Sequence, residues 1–318
     1  MPWVRIVLVH YHAGPVLAET VAALAGQTDG DFEAVIVDND GSAARLALPD
    51  GRFRLVLAGK NLGFAAGSNL GARGAATPWL AMLNPDATPE PDWLANMRRA
   101  TARYPRAAMF GSTQLNAANP RILDGAGDCY SIYGIAWRGG HGAPAVSVRE
   151  DARVFAPCGA AALYRRDVFE AAGGFAESFF CYLEDVDLGF RLNLLGEEAI
   201  QVADARVRHV GGAPTAFARG LILRNSVYVA VRCLPLPHAA VALAALVLSH
   251  PRELKPLREG LAHLMALRRE RGAIQVARRL RIRDLARLIV WDPRKVKRME
   301  AVPLEQARPL AQARASAR

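Results

Sequence analysis

Five carboxylates and one imidazole, each beside a break in an apolar run, are the side chains whose types and spacing could do chemistry. They are Asp38, Asp86, Glu184, Asp185 and Asp187, with His209. Oxygen ligands hold a hard divalent cation and tolerate one imidazole among them, and such a cation can bridge a diphosphate. A carboxylate left outside the cation is free to take a proton from a hydroxyl. Taken singly, each acid has a plainer use: Asp38 forms a turn, Asp86 caps a helix before Pro89, and residues 184–187 place negative charge at a helix N-terminus. Their joint placement at the ends of strands and the start of one helix is what points to a site. Two familiar phosphate cradles are missing from the sequence. No GxGxxG follows the first apolar run, and no GxxxxGK followed by Ser or Thr occurs, which argues against a dinucleotide-binding domain and a P-loop nucleotidase.

The elements that must position these groups alternate between short apolar runs and helical patterns, the signature of an α/β sheet. Residues 4–9, 32–37, 53–57 and 79–83 read as buried strands, and 15–24 as a helix. A Gly-rich segment from Gly59 leads into a helix of small residues through Ala75. In open α/β sheets ligands bind beyond the carboxyl ends of the strands, so residues 10–12, 38–41 and 84–86 are expected to converge on one cleft. Farther on, 109–115 reads as a strand, 125–142 as a loop region with several turns, and 154–164 as one strand with a small-residue break. A short helix over 167–172 stops at Gly173-Gly174, and another opens at Glu184 and stops at Gly196. Residues 199–202 and 206–210 read as the last strands of the body.

The whole chain has 318 residues, 52% hydrophobic and 22% charged, which allows one large domain with an extension, or two, and excludes a disordered or multi-span chain. Four cysteines with no CxxC spacing signal neither a zinc ribbon nor a disulfide scaffold, in keeping with a cytoplasmic location. The first residues run straight into a strand with no cleavage site behind it, so no signal peptide is expected. Charge is concentrated at one end: residues 251–318 carry 18 Lys+Arg against 7 Asp+Glu, and the rest 22 against 23. The apolar stretch 233–248 before that tail is shorter than a membrane span and holds two prolines and a histidine. An apolar segment followed by Arg-rich helices suits a peripheral position on an anionic membrane surface, and equally a core helix beside a solvated basic one. The tail is poor in aromatics for base stacking and shows no zinc-finger or RNA-binding signature, so no nucleic-acid partner is expected.

A set of motifs in order then becomes recognisable. These are Asn61-Leu-Gly-Phe-Ala-Ala-Gly-Ser-Asn69, Leu83-Asn84-Pro85-Asp86, Arg165-Arg166 with Gly173-Gly174-Phe175, Phe180 to Arg191 around Glu184-Asp185, and His209-Val-Gly-Gly212. Over roughly residues 4 to 230 the chain resembles the family 2 glycosyltransferases, particularly their rhamnosyltransferase-like branch. The resemblance implies a GT-A fold, a mostly parallel mixed sheet flanked by helices (Rossmann-like), in residues 1–230, followed by a helical extension, apolar then basic, over 231–318. It implies an inverting transfer from a nucleotide-diphosphate sugar, dTDP- or UDP-linked, with rhamnose as the expected sugar. The acceptor would be a glycan or lipid-linked hydroxyl in surface polysaccharide synthesis, and the tail would meet the inner face of the membrane.

Residue by residue, the resemblance places Asp38 at the nucleobase, flanked by Tyr11 and His12. It places Asn61, Gly63 and Asn69 near the nucleotide and sugar, and Asn84 where the first acid of the family's DxD stands. Asp86 and His209 would hold Mg²⁺ or Mn²⁺. Asp185, paired with Glu184, would be the general base, and Arg191 would either balance the acids or form a structural ion pair. Arg224-Asn225 resembles a pair near the family's acceptor side. The alternative expectation is a non-catalytic nucleotide-sugar-binding or membrane-surface-binding module.

Overall fold

The computed structural model describes residues 1–300 and the backbone of residues 305–306. The first half alternates strand and helix: β1 (Val4–His10), α1 (Val16–Ala25), β2 (Phe32–Asp38), β3 (Phe53–Leu57), α2 (Gly63–Ala72) and β4 (Trp79–Leu83). β1 is buried along its whole length, as a strand covered on both faces must be. Its alternate side chains feed two cores: Val4, Ile6 and Leu8 meet α1 and α3 residues, while Val7 and Val9 pack with Val35, Val37 and α2. α2 comes close because it is built of small residues. A Cβ on Gly71 would lie 2.4 Å from a methyl of Val7, so only glycine permits this helix to lie so near β1. Arg5, buried under that helix, donates to the carbonyls of Arg73 (2.9 Å) and Gly74 (3.3 Å) and thus satisfies groups that the end of α2 leaves open.

The chain continues through β5 (Ala87–Pro89), α3 (Trp93–Arg103), β6 (Ala107–Asn116), β7 (Leu123–Gly125), β8 (Asp128–Tyr130) and β9 (Ala136–Arg138). Then come β10 (Ala152–Val154), β11 (Ala161–Arg165), α4 (Arg166–Ala171), α5 (Glu184–Leu195) and β12 (Glu198–His209). Among the described residues the main sheet runs β13-β10-β12-β6-β11-β4-β1-β2-β3, where β13 is Glu305–Gln306. β3, β2, β1 and β4 are mutually parallel, β11 enters antiparallel between β4 and β6, and β12 is parallel to β6. Two reversals restore the direction, so β1, β2, β4, β6 and β12 all end at one edge of the sheet.

Several sequence expectations are corrected here. Residues 154–164 are two strands, β10 on β12 and β11 between β4 and β6, because Pro157 in the intervening segment has no N–H to give a ladder. Residues 199–202 and 206–209 are one strand, β12, with an irregular register between Val202 and Arg206. The helix expected through Ala75 ends at Ala72. The region 125–142, expected as loop with several turns, contains the antiparallel β8–β9 pair. Asp86 caps no helix; it precedes β5, and α3 begins at Trp93.

Beyond the sheet lie α6 (Ala216–Cys233), α7 (Leu236–Ser249), α8 (Leu254–Ala262), α9 (Leu264–Ala277), α10 (Ile282–Leu288) and α11 (Pro293–Arg298). Residue 230 falls inside α6. Phe155, Phe179, Val186 and Phe190 share one apolar cluster with Leu246, Leu257, Leu267 and Leu288, so the C-terminal helices are packed onto the body through α5 and α6. No helix among the described residues is long and apolar enough to cross a membrane. All four cysteines are free.

Candidate active site

The shared strand edge gathers three groups of side chains. At the ends of β1 and β2 lie His10, Tyr11, His12, Asp38 and Asp40. Asp38 is buried and already engaged: one oxygen accepts from the amides of Asp40 (3.1 Å) and Gly41 (2.9 Å), the other from Ala43 (2.9 Å). It therefore shapes the turn after β2. Asp40 reaches across to His12, whose Nδ1 is 2.7 Å from its carboxylate, and Ser42 bridges Asp40 to His10 at 2.6 and 2.7 Å. Burial would raise Asp40, but hydrogen bonds from Ser42 and His12 outweigh it and hold the carboxyl well below its ordinary range. Beside this turn an open cleft of about 290 Å³ is lined by His10, Gly14, Leu17, Ser42, Ala43, Arg45 and Leu46. Tyr11 stands half-exposed near it, its ring 4.2 Å from that of His12.

The second group forms where β4 and β12 end. β5 pairs antiparallel with β12 and sets His209 opposite Ala87, which brings Asp86 to the imidazole. His209 Nε2 lies 3.4 Å from Asp86 and 3.3 Å from the Asn84 amide, while its Nδ1 lies 2.7 Å from Asp124. Asp124 also takes an ion pair from Arg138. Burial would lower His209, but hydrogen bonds to Asp124 and Asp86 prevail and raise it above the usual histidine range. Burial likewise opposes ionisation of Asp86, yet the hydrogen bond and charge of His209 hold its carboxyl below the usual range.

The third group is built by a strained turn. Phe180, Tyr182 and Leu183 all have positive φ (64°, 70° and 64°), a conformation that costs non-glycine residues free energy unless the surroundings fix it. Asn225 of α6, fully buried, fixes it: its amide nitrogen lies 3.1, 3.0 and 2.7 Å from the carbonyls of Phe179, Cys181 and Tyr182. Arg224 adds a bond of 2.8 Å to the Phe179 carbonyl. From the other side, the Ala65 amide donates to the Phe180 carbonyl at 3.1 Å. A Cβ on Gly63 would come within 2.4 Å of that carbonyl oxygen, and its own φ is +76°. Asn61 accepts from the Gly63 amide, and Asn69 holds both the amide and carbonyl of Phe175.

This turn delivers Glu184 and Asp185 to the edge. Asp185 accepts from the Gly159 amide at 2.7 Å, and the neighbouring Ala160 carbonyl accepts from Asn84 N at 2.8 Å, so the second and third groups adjoin. Burial raises Asp185, with the Gly159 and Val186 amides and Arg138 pulling the other way. Glu184 is more deeply buried and one of its oxygens has no partner; burial and the charge of Asp185 push it well up. Asp128 and Cys158 close the pocket around Asp185, their ligating atoms within 4.8 Å of one another and of its carboxylate. Burial and the charge of Asp128 push the Cys158 thiol up to about 12.

Of the expected residues, the structure brings Asn84, Asp86 and His209 together and sets Asp185 next to them. Asp187 does not join: it is fully buried and paired with Arg191 (2.7 Å) and Arg232 (2.9 Å). Arg191 is thus a structural partner that also holds the carbonyls of Ala172 and Gly174. Asn61, Gly63 and Asn69 act on the backbone: the first two shape the start of α2 against Phe180, and Asn69 holds Phe175. Asp124, Asp128 and Arg138 were not legible, since they lie on three-residue strands too short for any periodicity. For Asn225 the neighbouring Arg224-Asn225 pair was the one available signal.

Comparison with known proteins gives the family and the fold. Residues 5–173 match the family model described as glycosyl transferase family 2. An N-acetylglucosaminyl-diphospho-decaprenol L-rhamnosyltransferase of Mycobacterium tuberculosis is 29% identical over 237 residues, 64% of this chain and 75% of the relative. Among solved structures, the mannosyltransferase PcManGT from Pyrobaculum calidifontis, in complex with GDP-Man and Mn²⁺, superposes with a TM-score of 0.54 at 19% identity. It covers 86% of this chain and 87% of its own. GalNAc-T7 with UDP, GalNAc and Mn²⁺ gives 0.59 at 16% identity, covering 84% and 58%. These likenesses establish the GT-A fold.

Proposed function

The chain belongs to glycosyl transferase family 2, and from that premise we propose that it moves a sugar, rhamnose, from a dTDP- or UDP-linked donor to a hydroxyl of a lipid-linked glycan. The observation that carries this reading is the adjacency of two unlike acids at one strand edge. Asp86, beside His209, is held ionised, whereas Asp185 is raised by burial and stands apart from the imidazole. The first suits charge, the second proton transfer. The 29% identity to a rhamnosyltransferase acting on a decaprenol-linked sugar supports the choice of sugar and acceptor.

Asp86, His209 Nε2 and the Asn84 amide oxygen, once that amide is turned toward them, form an oxygen-and-imidazole set that fits Mg²⁺ or Mn²⁺. Bound there, the cation would neutralise charge on the donor's diphosphate. Asp124 holds the other face of His209 and so directs Nε2 into the site. The cleft beside His10 and Ser42 has room for the nucleobase, with Tyr11 and His12 at its rim and Asp38 holding the turn that forms it. Asn61, Gly63 and Asn69 shape the wall along the nucleotide and sugar. Asp185 takes the proton of the acceptor hydroxyl as that oxygen bonds to the anomeric carbon. The bond from that carbon to the diphosphate oxygen breaks on the opposite face, and its electron pair leaves with the diphosphate. One displacement with one base inverts the anomeric centre. Glu184, whose carboxyl is pushed well up by burial, stands beside the base.

The same reading puts the enzyme on the inner face of the membrane, peripherally, where a lipid-linked acceptor is presented. The test is transfer to a synthetic lipid-diphosphate sugar from a panel of nucleotide sugars, with Mg²⁺, with Mn²⁺ and with chelator. One donor is expected to turn over, with the cation required, and to give a product of inverted anomeric configuration. Turnover unaffected by chelator would overturn the cation's part, and a retained configuration the single displacement.

A further inference from the structure

We propose that the outer face of α7, with Trp291 and the basic residues at its two ends, is the surface through which the protein sits in an anionic lipid leaflet. This deepens the membrane part of the proposed function and rests on that reading for the identity of the partner; the surface itself follows from the structure. α7 buries one stripe, Ala239, Ala242 and Leu246, against the body. Its opposite stripe, Pro237, Ala240, Val241, Ala244 and Leu248, is exposed, and these positions recur at the spacing that keeps residues on one side of a helix. Leu248 is 80% exposed and Leu236, at the start, 70%. No Asp, Glu, Lys or Arg occurs from Cys233 to Pro251, so nothing charged interrupts the face.

What adjoins this face identifies its occupant. The ring of Trp291 lies 5.7 Å from that of His238 in the first turn of α7, although 53 positions separate them in the chain. Trp291 is half-exposed, and its indole N–H is satisfied by the Ala286 carbonyl, so the ring is an amphipathic anchor of the kind found at lipid headgroup level. Directly after it, α11 exposes Arg294, Lys295, Lys297 and Arg298. At the other end of α7, Arg252, Lys255 and Arg258 are exposed as well. An uncharged apolar stripe, flanked at both ends by cations and at one by a tryptophan, complements an acyl layer under anionic headgroups. α7 is 14 residues long, so it would lie in the plane of the interface.

Sedimentation of the purified full chain with vesicles of phosphatidylcholine, with and without phosphatidylglycerol, tests this directly. Wild type is expected to bind the anionic vesicles and to be released by salt. The double variant Val241→Asp with Leu248→Asp, both at exposed positions, should keep its melting transition and lose about tenfold or more in partitioning. Arg294→Gln with Lys295→Gln should weaken binding to anionic vesicles and leave the small binding to neutral ones unchanged. Undiminished binding by the Asp variant overturns the proposal. So does light scattering that shows α7 buried in a dimer which the Asp variant converts to monomer. No sugar nucleotide enters these measurements, and hydrolysis of the donor in solution should be the same in wild type and variant. A failed docking surface is therefore distinguishable from a failed transferase.

Discussion

At the scale of single residues, the site assigns different work to acids that look alike in the sequence. Asp38 is saturated by three backbone amides, Asp187 by two buried arginines, Asp86 leans on an imidazole, and Asp185 is left with two amides and a raised proton affinity. Breaking a buried pair such as Asp187 with Arg191 leaves an uncompensated charge and costs about 3–5 kcal/mol, which is why such an acid is unavailable to a ligand. Arg138 is bonded to Asp124, the partner of His209, and favours ionisation of Asp185. With Asp185 as the proposed base, which works only when ionised, the acid limb of kcat/KM is expected to follow its raised carboxyl. Removing a cation raises it further, so Arg138→Gln is expected to move that limb to higher pH in a pH-rate profile. A limb that stays in place or moves to lower pH would remove Asp185 from that role. The order of the acids along the chain was legible, and so was the convergence of Asp86 and His209. Which acid is spent on structure was not, because that depends on partners such as Arg232, 45 positions from Asp187.

At the scale of elements, the turn before α5 couples both sides of the site. Its three left-handed residues are wedged between the Gly63 end of α2 and the Asn225 face of α6, so a change on either side shifts Asp185. Asn225→Ala removes the donor to three carbonyls. It is expected to lower kcat about 10²-fold through misplacement of the base, with donor affinity little changed. Steady-state kinetics beside a donor-binding titration would show it, and a kcat near wild type would mean that α2 holds the turn alone. Sequence patterns gave the early strands and the helices after Pro15 and Leu183 within a residue or two, because continuous apolar runs and glycine stops are local signals. They did not separate β10 from β11, nor reveal the β8–β9 pair. The sheet positions of such short strands are set by pairing with distant strands.

At the scale of the molecule, the parallel strands fix one edge, β12 brings His209 to it and the turn before α5 brings Asp185, and the C-terminal helices buttress α5 while leaving one face of α7 bare. The sequence alone left the apolar stretch as either core or surface. The structure makes it both, one stripe buried and the other exposed. In the proposed mechanism the work is divided: the Asp86–His209 corner would hold the donor with its cation, and Asp185 would activate the acceptor. The most direct test measures Mn²⁺-dependent donor binding and sugar transfer separately in wild type, Asp86→Asn and Asp185→Asn. Asp185→Asn is expected to bind donor like wild type and to transfer about 10² to 10⁴-fold more slowly. Asp86→Asn is expected to lose the metal-dependent part of binding. Wild-type transfer by Asp185→Asn, or metal-dependent donor binding undiminished in Asp86→Asn, would contradict this division.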